Sequence, residues 1–283
     1  MLENTLPLVV NFAPTGMVPV KKITPHVPIQ VSEIVEQTHE AYELGITIVH
    51  LHARDIEGKP THELSAYQDI FEGIRKHCSD LVISASLSGR SVQEVEKRTE
   101  VLQLKPDMGS LTLSSLNFIR QASINSPDVI LQLIEAMDNH GATPELECFD
   151  AGMINYSRYL IDKLILKPPF YYNLLFGNIA NAQADLAHIG LMIKDLPRDA
   201  FWSLAGIGKE QLKTNAIAIA NGGGVRVGIE DNIWFDNNQK KLAKNIDLLK
   251  RIHRIAGEFE RDIMKPSEFG NLGFYNQHRQ SQN

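Results

Sequence analysis

Short apolar runs of strand character alternate with longer runs of helical periodicity along nearly the whole chain, and that alternation restricts the fold more than any other feature. The strand-like runs are Pro7 to Ala13, Thr47 to Ala53, Leu81 to Leu87, Asp107 to Leu113, Glu145 to Phe149, Tyr171 to Phe176, Ala200 to Leu204 and one ending at Glu230. The helix-like runs between and after them are Val31 to Leu44, Ala66 to His77, Val92 to Leu104, Asp128 to His140, Asn155 to Leu166, Ala182 to Leu196, Lys209 to Ala220 and Gln239 to Phe259. Strict alternation calls for parallel strands joined by helical crossovers, and this many units fit an α/β fold closed as a (β/α)8 TIM barrel. In the first helix Ser32 is the expected N-cap and Gly45 the expected residue past its end. No linker interrupts the pattern, so residues 1–283 read as one barrel domain with an irregular C-terminal extension from about 260. That tail either wraps a neighbour, covers the site or is loosely held. The Pro- and Lys-rich connection from Met17 to Pro28 is long enough to be functional or mobile.

The net charge of -6, from 28 basic and 34 acidic residues without a basic run, argues against a nucleic-acid partner. Cys78 and Cys148 lack metal spacing and fit a reducing compartment better than a disulfide framework. The N-terminal residues lack a basic signal region, and no apolar run approaches the roughly 18 residues of a membrane span. A cytoplasmic, soluble protein is expected.

In a barrel of this kind the working residues stand at the carboxyl ends of the strands. His50 and His52, at i and i+2, face one region there, and buried imidazoles need partners such as a divalent metal. In the block Gly222 to Asn232, Val225, Val227 and Ile229 set a period of two, which puts Arg226 and Glu230 on one side and Asp231 at the strand's exit. Its glycines precede the strand, whereas a nucleotide-binding fingerprint has them after one. Because the last strand of a closed barrel lies beside the first, Glu230 can reach the ion of His50 and His52. Two histidines and a carboxylate suit a catalytic zinc or similar divalent centre. Ser84, Ser86 and Ser88 share one parity, as do Ser110, Thr112 and Ser114; these hydroxyls either bind substrate or fill a polar interior. Glu145 and Glu147 point inward and need a cation, for which Arg226 is the candidate.

The segments His50 to Asp55, Ser110 to Phe118, Glu145 to Asp150 and above all Gly222 to Asn232 together resemble the β-keto acid cleavage enzymes, nearly end to end. The resemblance implies a homotetrameric TIM barrel with zinc held at His50, His52 and Glu230. It also implies that a β-keto acid and acetyl-CoA, the co-substrate, exchange groups to give acetoacetate and a new acyl-CoA. Ser86 matches the family's serine on the third strand, and Ser110 stands where its fourth-strand threonine is, with Thr112 as the other possible equivalent.

A divalent cation can chelate the carboxylate and ketone oxygens of such an acid and act as a Lewis acid when the C2 proton leaves. Asp231 is the expected general base, oriented by Arg226, with Glu147 supporting the arginine. Family members that take amino-substituted substrates resemble one another in carrying a glutamate soon after the first-strand Thr-Gly. Here Thr15-Gly16 precedes Met17 and Val18, which predicts a neutral or apolar β-keto acid. The competing enzyme reading is a metal-dependent amidohydrolase-type hydrolase, which would have His-x-His on strand one and further histidines on strands five and six. A barrel that binds metal but has lost its chemistry would have lost Asp231 or Arg226, and both are present. His26 is the one loop histidine expected near the mouth, His62 and the others being read as solvated or structural. Arg54, Arg90 and the Lys21-Lys22 pair are available to CoA phosphates or serve solubility alone.

Overall fold

The apolar runs pair in parallel and close on themselves in a computed structural model that describes residues 6–279. The barrel strands are β1 (Val10–Phe12), β2 (Ile48–Leu51), β3 (Val82–Ala85), β4 (Met108–Thr112), β5 (Thr143–Cys148), β6 (Tyr171–Phe176), β7 (Phe201–Gly206) and β8 (Gly224–Val227). Each pairs with its sequence neighbours, and β8 returns to β1, so the expected closed barrel is formed.

Around it run α1 (Val31–Leu44), α2 (Leu64–His77), α3 (Val95–Thr99), α4 (Pro127–His140), α5 (Ala151–Asp162), α6 (Leu186–Lys194), α7 (Gln211–Ala220) and α8 (Asn245–Glu258). Several ends differ from the sequence reading for local reasons. α1 is preceded by Gln30 rather than capped by Ser32, because the Glu33 carboxylate accepts from the Ile29 and Gln30 N–H groups. Asp150 and Asp185 accept from Met153 N at 3.1 Å and His188 N at 3.0 Å, which starts α5 earlier and α6 later than their apolar periodicity suggests. α3 breaks after Thr99 into a 3₁₀ turn, Glu100–Leu104. α8 begins only at Asn245, whose amide donates to Pro14 O at 3.1 Å and whose oxygen accepts from Ile229 N at 2.8 Å.

Among the described residues, the segment from Arg261 to Arg279 neither covers the site nor hangs loose. Arg261 donates to Ile219 O, Gly223 O and Leu6 O, and Leu8 bridges Ile263. Beyond them Phe269 and Phe274 stack with centroids 4.0 Å apart. They pack with Val9, Ile48, Val82, Met108 and Tyr171, residues at the starts of their strands, and so plug the amino end of the barrel. The carboxyl end stays free for chemistry. Among the described residues no helix is long and apolar enough to cross a membrane.

Candidate active site at the carboxyl rim of the barrel

β8 is shorter than the alternation implied: it ends at Val227, and the chain then turns instead of running on to Glu230. Gly228 makes the turn possible, since a Cβ there would lie 1.9 Å from Ala13 O. Glu230 N donates to Ala13 O at 3.2 Å, which folds the carboxylate back over the mouth. Gly16 meets it from the other side, where a Cβ would come within 2.5 Å of Glu230 Cγ.

Glu230 thereby joins the two histidines. His50 Nε2 and His52 Nε2 lie 3.3 Å apart, and Glu230 Oε1 is 3.1 Å from His52 Nε2 and 3.9 Å from His50 Nε2. The three ligand atoms fall within 4.8 Å of one another. Glu230 Oε2 is buried with no hydrogen-bond partner. Two imidazole nitrogens facing each other, with an orphaned carboxylate oxygen beside them, suit a divalent cation better than they suit one another. Burial pushes His52 below its ordinary range. Burial would push Glu230 up, but the charges of His52 and Arg226 prevail and hold it well below the usual carboxylate range.

Arg226 is the hub. Its Nη2 donates to Glu230 Oε1 at 2.7 Å, its Nη1 to Glu147 Oε1 at 3.0 Å and its Nε to Asp231 Oδ2 at 3.1 Å, with the side chain only 2% exposed. A guanidinium fork held by three carboxylates has one available position. Burial, with the Glu230 charge, raises Asp231 above the usual carboxylate range although Arg226 opposes the shift, so Asp231 can take a proton.

Glu145 makes no hydrogen bond to Arg226: its Oε1 lies 4.0 Å from Nη1, a looser ion pair than the 3.0 Å one made by Glu147. The register explains this, because Ser110 lies opposite Glu145 and Thr112 opposite Glu147, one layer nearer the rim. Glu145 instead accepts from His50 Nδ1 at 2.8 Å, from Asn11 Nδ2 at 2.6 Å, and from Ser84 and Asn173. Burial favours its neutral form, yet His50, Arg226 and the hydrogen bonds hold it at about 2. It directs the other nitrogen of His50 toward His52. The sequence reading missed this role for Glu145 and the part played by Asn11 and Asn173. The available signal was a polar residue at inward parity within each apolar strand.

Ser86 and Ser110 lie along the neighbouring edge: Ser86 N donates to Leu51 O at 3.0 Å, and Ser110 Oγ accepts from Leu87 N at 3.1 Å. Thr112 Oγ1 donates to Glu147 Oε2 at 2.8 Å. Arg54 does not face a CoA phosphate; it is 6% exposed and donates to Gly16 O, Pro19 O and Gly58 O, fastening the loop after β1. Lys21 pairs with Glu33, and the His26 carbonyl accepts from Gln37 of α1. His62, read as solvated or structural, is 8% exposed and close enough to feel the His52 charge.

A closed parallel barrel whose charged residues gather at the carboxyl ends of its strands has the architecture of a (β/α)8-barrel enzyme. The chain belongs to the beta-keto acid cleavage enzyme family, whose family model matches residues 7–272. It is 35% identical over 263 residues to the 3-oxoadipate:acetyl-CoA acetyltransferase of Cupriavidus necator, covering 92% of each chain. It is 33% identical over 264 residues to the 3-keto-5-aminohexanoate cleavage enzyme of Fusobacterium nucleatum, covering 92% of this chain and 95% of that one. The apo structure of ObcA superposes with a TM-score of 0.77 at 17% identity, over 89% of this chain and 66% of that one, a likeness of fold. The hydrolase reading finds no support: the histidine pair stands at the end of β2 and just past it, and β5 and β6 present Glu145, Glu147 and Asn173. The chain is a transferase of its family's kind.

Proposed function

We propose that this protein transfers groups between a β-keto acid without an amino substituent and acetyl-CoA, releasing acetoacetate and a new acyl-CoA. The observation that carries the reading is the union of Arg226 with Glu147, Glu230 and Asp231 beside the facing nitrogens of His50 and His52. His50, His52 and Glu230 would hold a divalent cation, zinc by its preference for this donor set, which when bound supplies a Lewis acid for the oxygens of the keto acid.

Asp231 takes a proton from C2 of the keto acid, with Arg226 fixing the carboxylate and Glu147 fixing Arg226. The C2 carbanion attacks the thioester carbon of acetyl-CoA, and the tetrahedral oxyanion collapses with loss of CoA thiolate. The thiolate adds to the original ketone carbon and the bond from that carbon to C2 breaks. The acyl group leaves on CoA, and C2, reprotonated by Asp231, leaves as acetoacetate. Ser86 and Ser110, or Thr112 in its place, would donate to the oxyanions. Met17 and Val18, the residues after Gly16, are apolar and add no further carboxylate to pair with a cationic substituent. The family resemblance further supports a homotetramer, and the buried, unpaired Cys78 and Cys148 suit a cytoplasmic setting.

The test is acetoacetate release from acetyl-CoA and a panel of β-keto acids by zinc-loaded enzyme. Asp231→Asn should lower kcat by about 10²- to 10⁴-fold. Turnover of amino-substituted acids alone, or wild-type rates in Asp231→Asn, would defeat the proposal.

A further inference from the structure

Arg90 is the rim cation that the machinery above leaves unused. It follows β3, and its guanidinium carbon lies 3.5 Å from the centroid of the Phe118 ring. Phe118 belongs to a small hairpin after β4 and meets Phe149, just past β5, edge to face at 5.7 Å. The stack holds the guanidinium flat against an aromatic wall. Arg90 Nε is buried without a hydrogen-bond partner. None of the ion pairs among the described residues includes Arg90, whereas Arg226 takes Glu147, Glu230 and Asp231. A buried N–H without an acceptor is costly, and a guanidinium fork is completed by a planar anion.

We propose that Arg90 is a specificity residue that pairs with a carboxylate at the far end of the keto acid, so that the substrate class is the β-keto dicarboxylic acids. The inference rests on the transferase reading and narrows it, replacing the neutral or apolar acid that Met17 and Val18 suggested. Those residues supply no carboxylate for a cationic substituent and say nothing of an anion beside Arg90. Arg90 lies four residues past Ser86, and Phe149, which backs Phe118, lies two past Glu147, so the stacked guanidinium stands at the same carboxyl rim. The phosphates of CoA are separated from the thioester by a long flexible arm. A guanidinium stacked at the rim, beside the strand ends that carry Ser86 and Glu147, therefore suits the keto acid better. Phe118 and Phe149 offer an apolar surface to the methylenes between the keto group and the terminal carboxylate.

The experiment compares 3-oxohexanedioate with 3-oxohexanoate, acids of equal length that differ only at C6, using zinc-loaded wild type, Arg90→Gln and Arg90→Lys. Wild type should favour the dicarboxylate by about 10- to 100-fold in kcat/KM, the worth of one charge-assisted pair. Arg90→Gln should bring that ratio close to unity, chiefly through KM, and Arg90→Lys should restore part of it. Preference of wild type for the neutral acid overturns the proposal. So does an Arg90→Gln variant that keeps the ratio, whether it slows both acids equally or raises KM for acetyl-CoA alone, as a phosphate contact would. If wild type releases acetoacetate from no acid, the transferase reading fails, and calorimetric binding of hexanedioate against hexanoate decides for Arg90. Tighter dicarboxylate binding that disappears in Arg90→Gln supports its role; equal affinities overturn it.

Discussion

Glu145→Gln should weaken metal binding without removing a ligand. Glu145 and His50 are 0% and 1% exposed, and their 2.8 Å contact lies in the barrel interior. As a carboxylate, Glu145 Oε2 accepts from His50 Nδ1 and from Ser84. Glutamine must set an amide NH2 on one of the two oxygen positions. Placed at Oε2, it can donate to Ser84 but also faces His50 Nδ1, and that pairing requires the tautomer with its proton on Nε2. A protonated Nε2 cannot bind a metal. Placed at Oε1, the NH2 confronts the amide donors of Asn11 and Asn173. Retaining the useful tautomer therefore sacrifices a charge-assisted hydrogen bond worth about 1.5–3 kcal/mol, which is about 10- to 100-fold in affinity. The assay is zinc competition against a chromophoric chelator, with a thermal melt of the metal-free protein to report folding. Ser84→Ala is the control, because it deletes another hydrogen bond to the same oxygen and leaves the tautomer alone; it should cost less than about fivefold. Zinc affinity in Glu145→Gln within about threefold of wild type, or an equal loss in Ser84→Ala, would refute the tautomer argument.

Gly16→Ala puts a Cβ about as close as 2.5 Å to Glu230 Cγ at a φ of 62°, so zinc affinity should fall more than stability does, as chelator competition and melting will measure. His62 is pushed down to about 4 by burial first, then by the His52 and Arg98 charges. The unfolded chain takes up this proton near 6.5 and the folded chain does not, so the stability is complete above 6.5 and is lost as pH falls from there toward 4. The loss is about 2 kcal/mol by pH 5, and denaturant melts of the metal-free protein should show a shallower acid decline in His62→Gln. Phe274→Ala should cost about 3–5 kcal/mol while kcat of the folded enzyme persists, because its stack with Phe269 lies at the end of the barrel opposite the site. A comparable loss of kcat would show that the plug and the rim are coupled.

The site was partly legible because its residue types stand at inward parity near the ends of apolar strands. His50, His52, Arg226 and Glu147 could be read from spacing alone, and the structure brings them together with Glu230 and Asp231. The partner of Glu145 could not, since it depends on how far β5 is shifted against β4 and β2. Side chains one layer apart on the same strand meet different neighbours. Gln30 instead of Ser32 at the start of α1, and the fate of the chain after 260, were likewise undetermined by local preference.

Periodicity determined the fold class from the sequence by itself, because alternating short and long apolar repeats can bury their faces together only as a parallel sheet wrapped by helices. Chemical type marked which side chains could hold a cation or a proton. Tertiary structure alone decided that the last strand stops at Val227, that the turn at Gly228 folds Glu230 onto His52, and that Arg90 lies against Phe118 with no carboxylate of its own. Those outcomes depend on distances between residues far apart in the chain, which only the closing of the barrel sets.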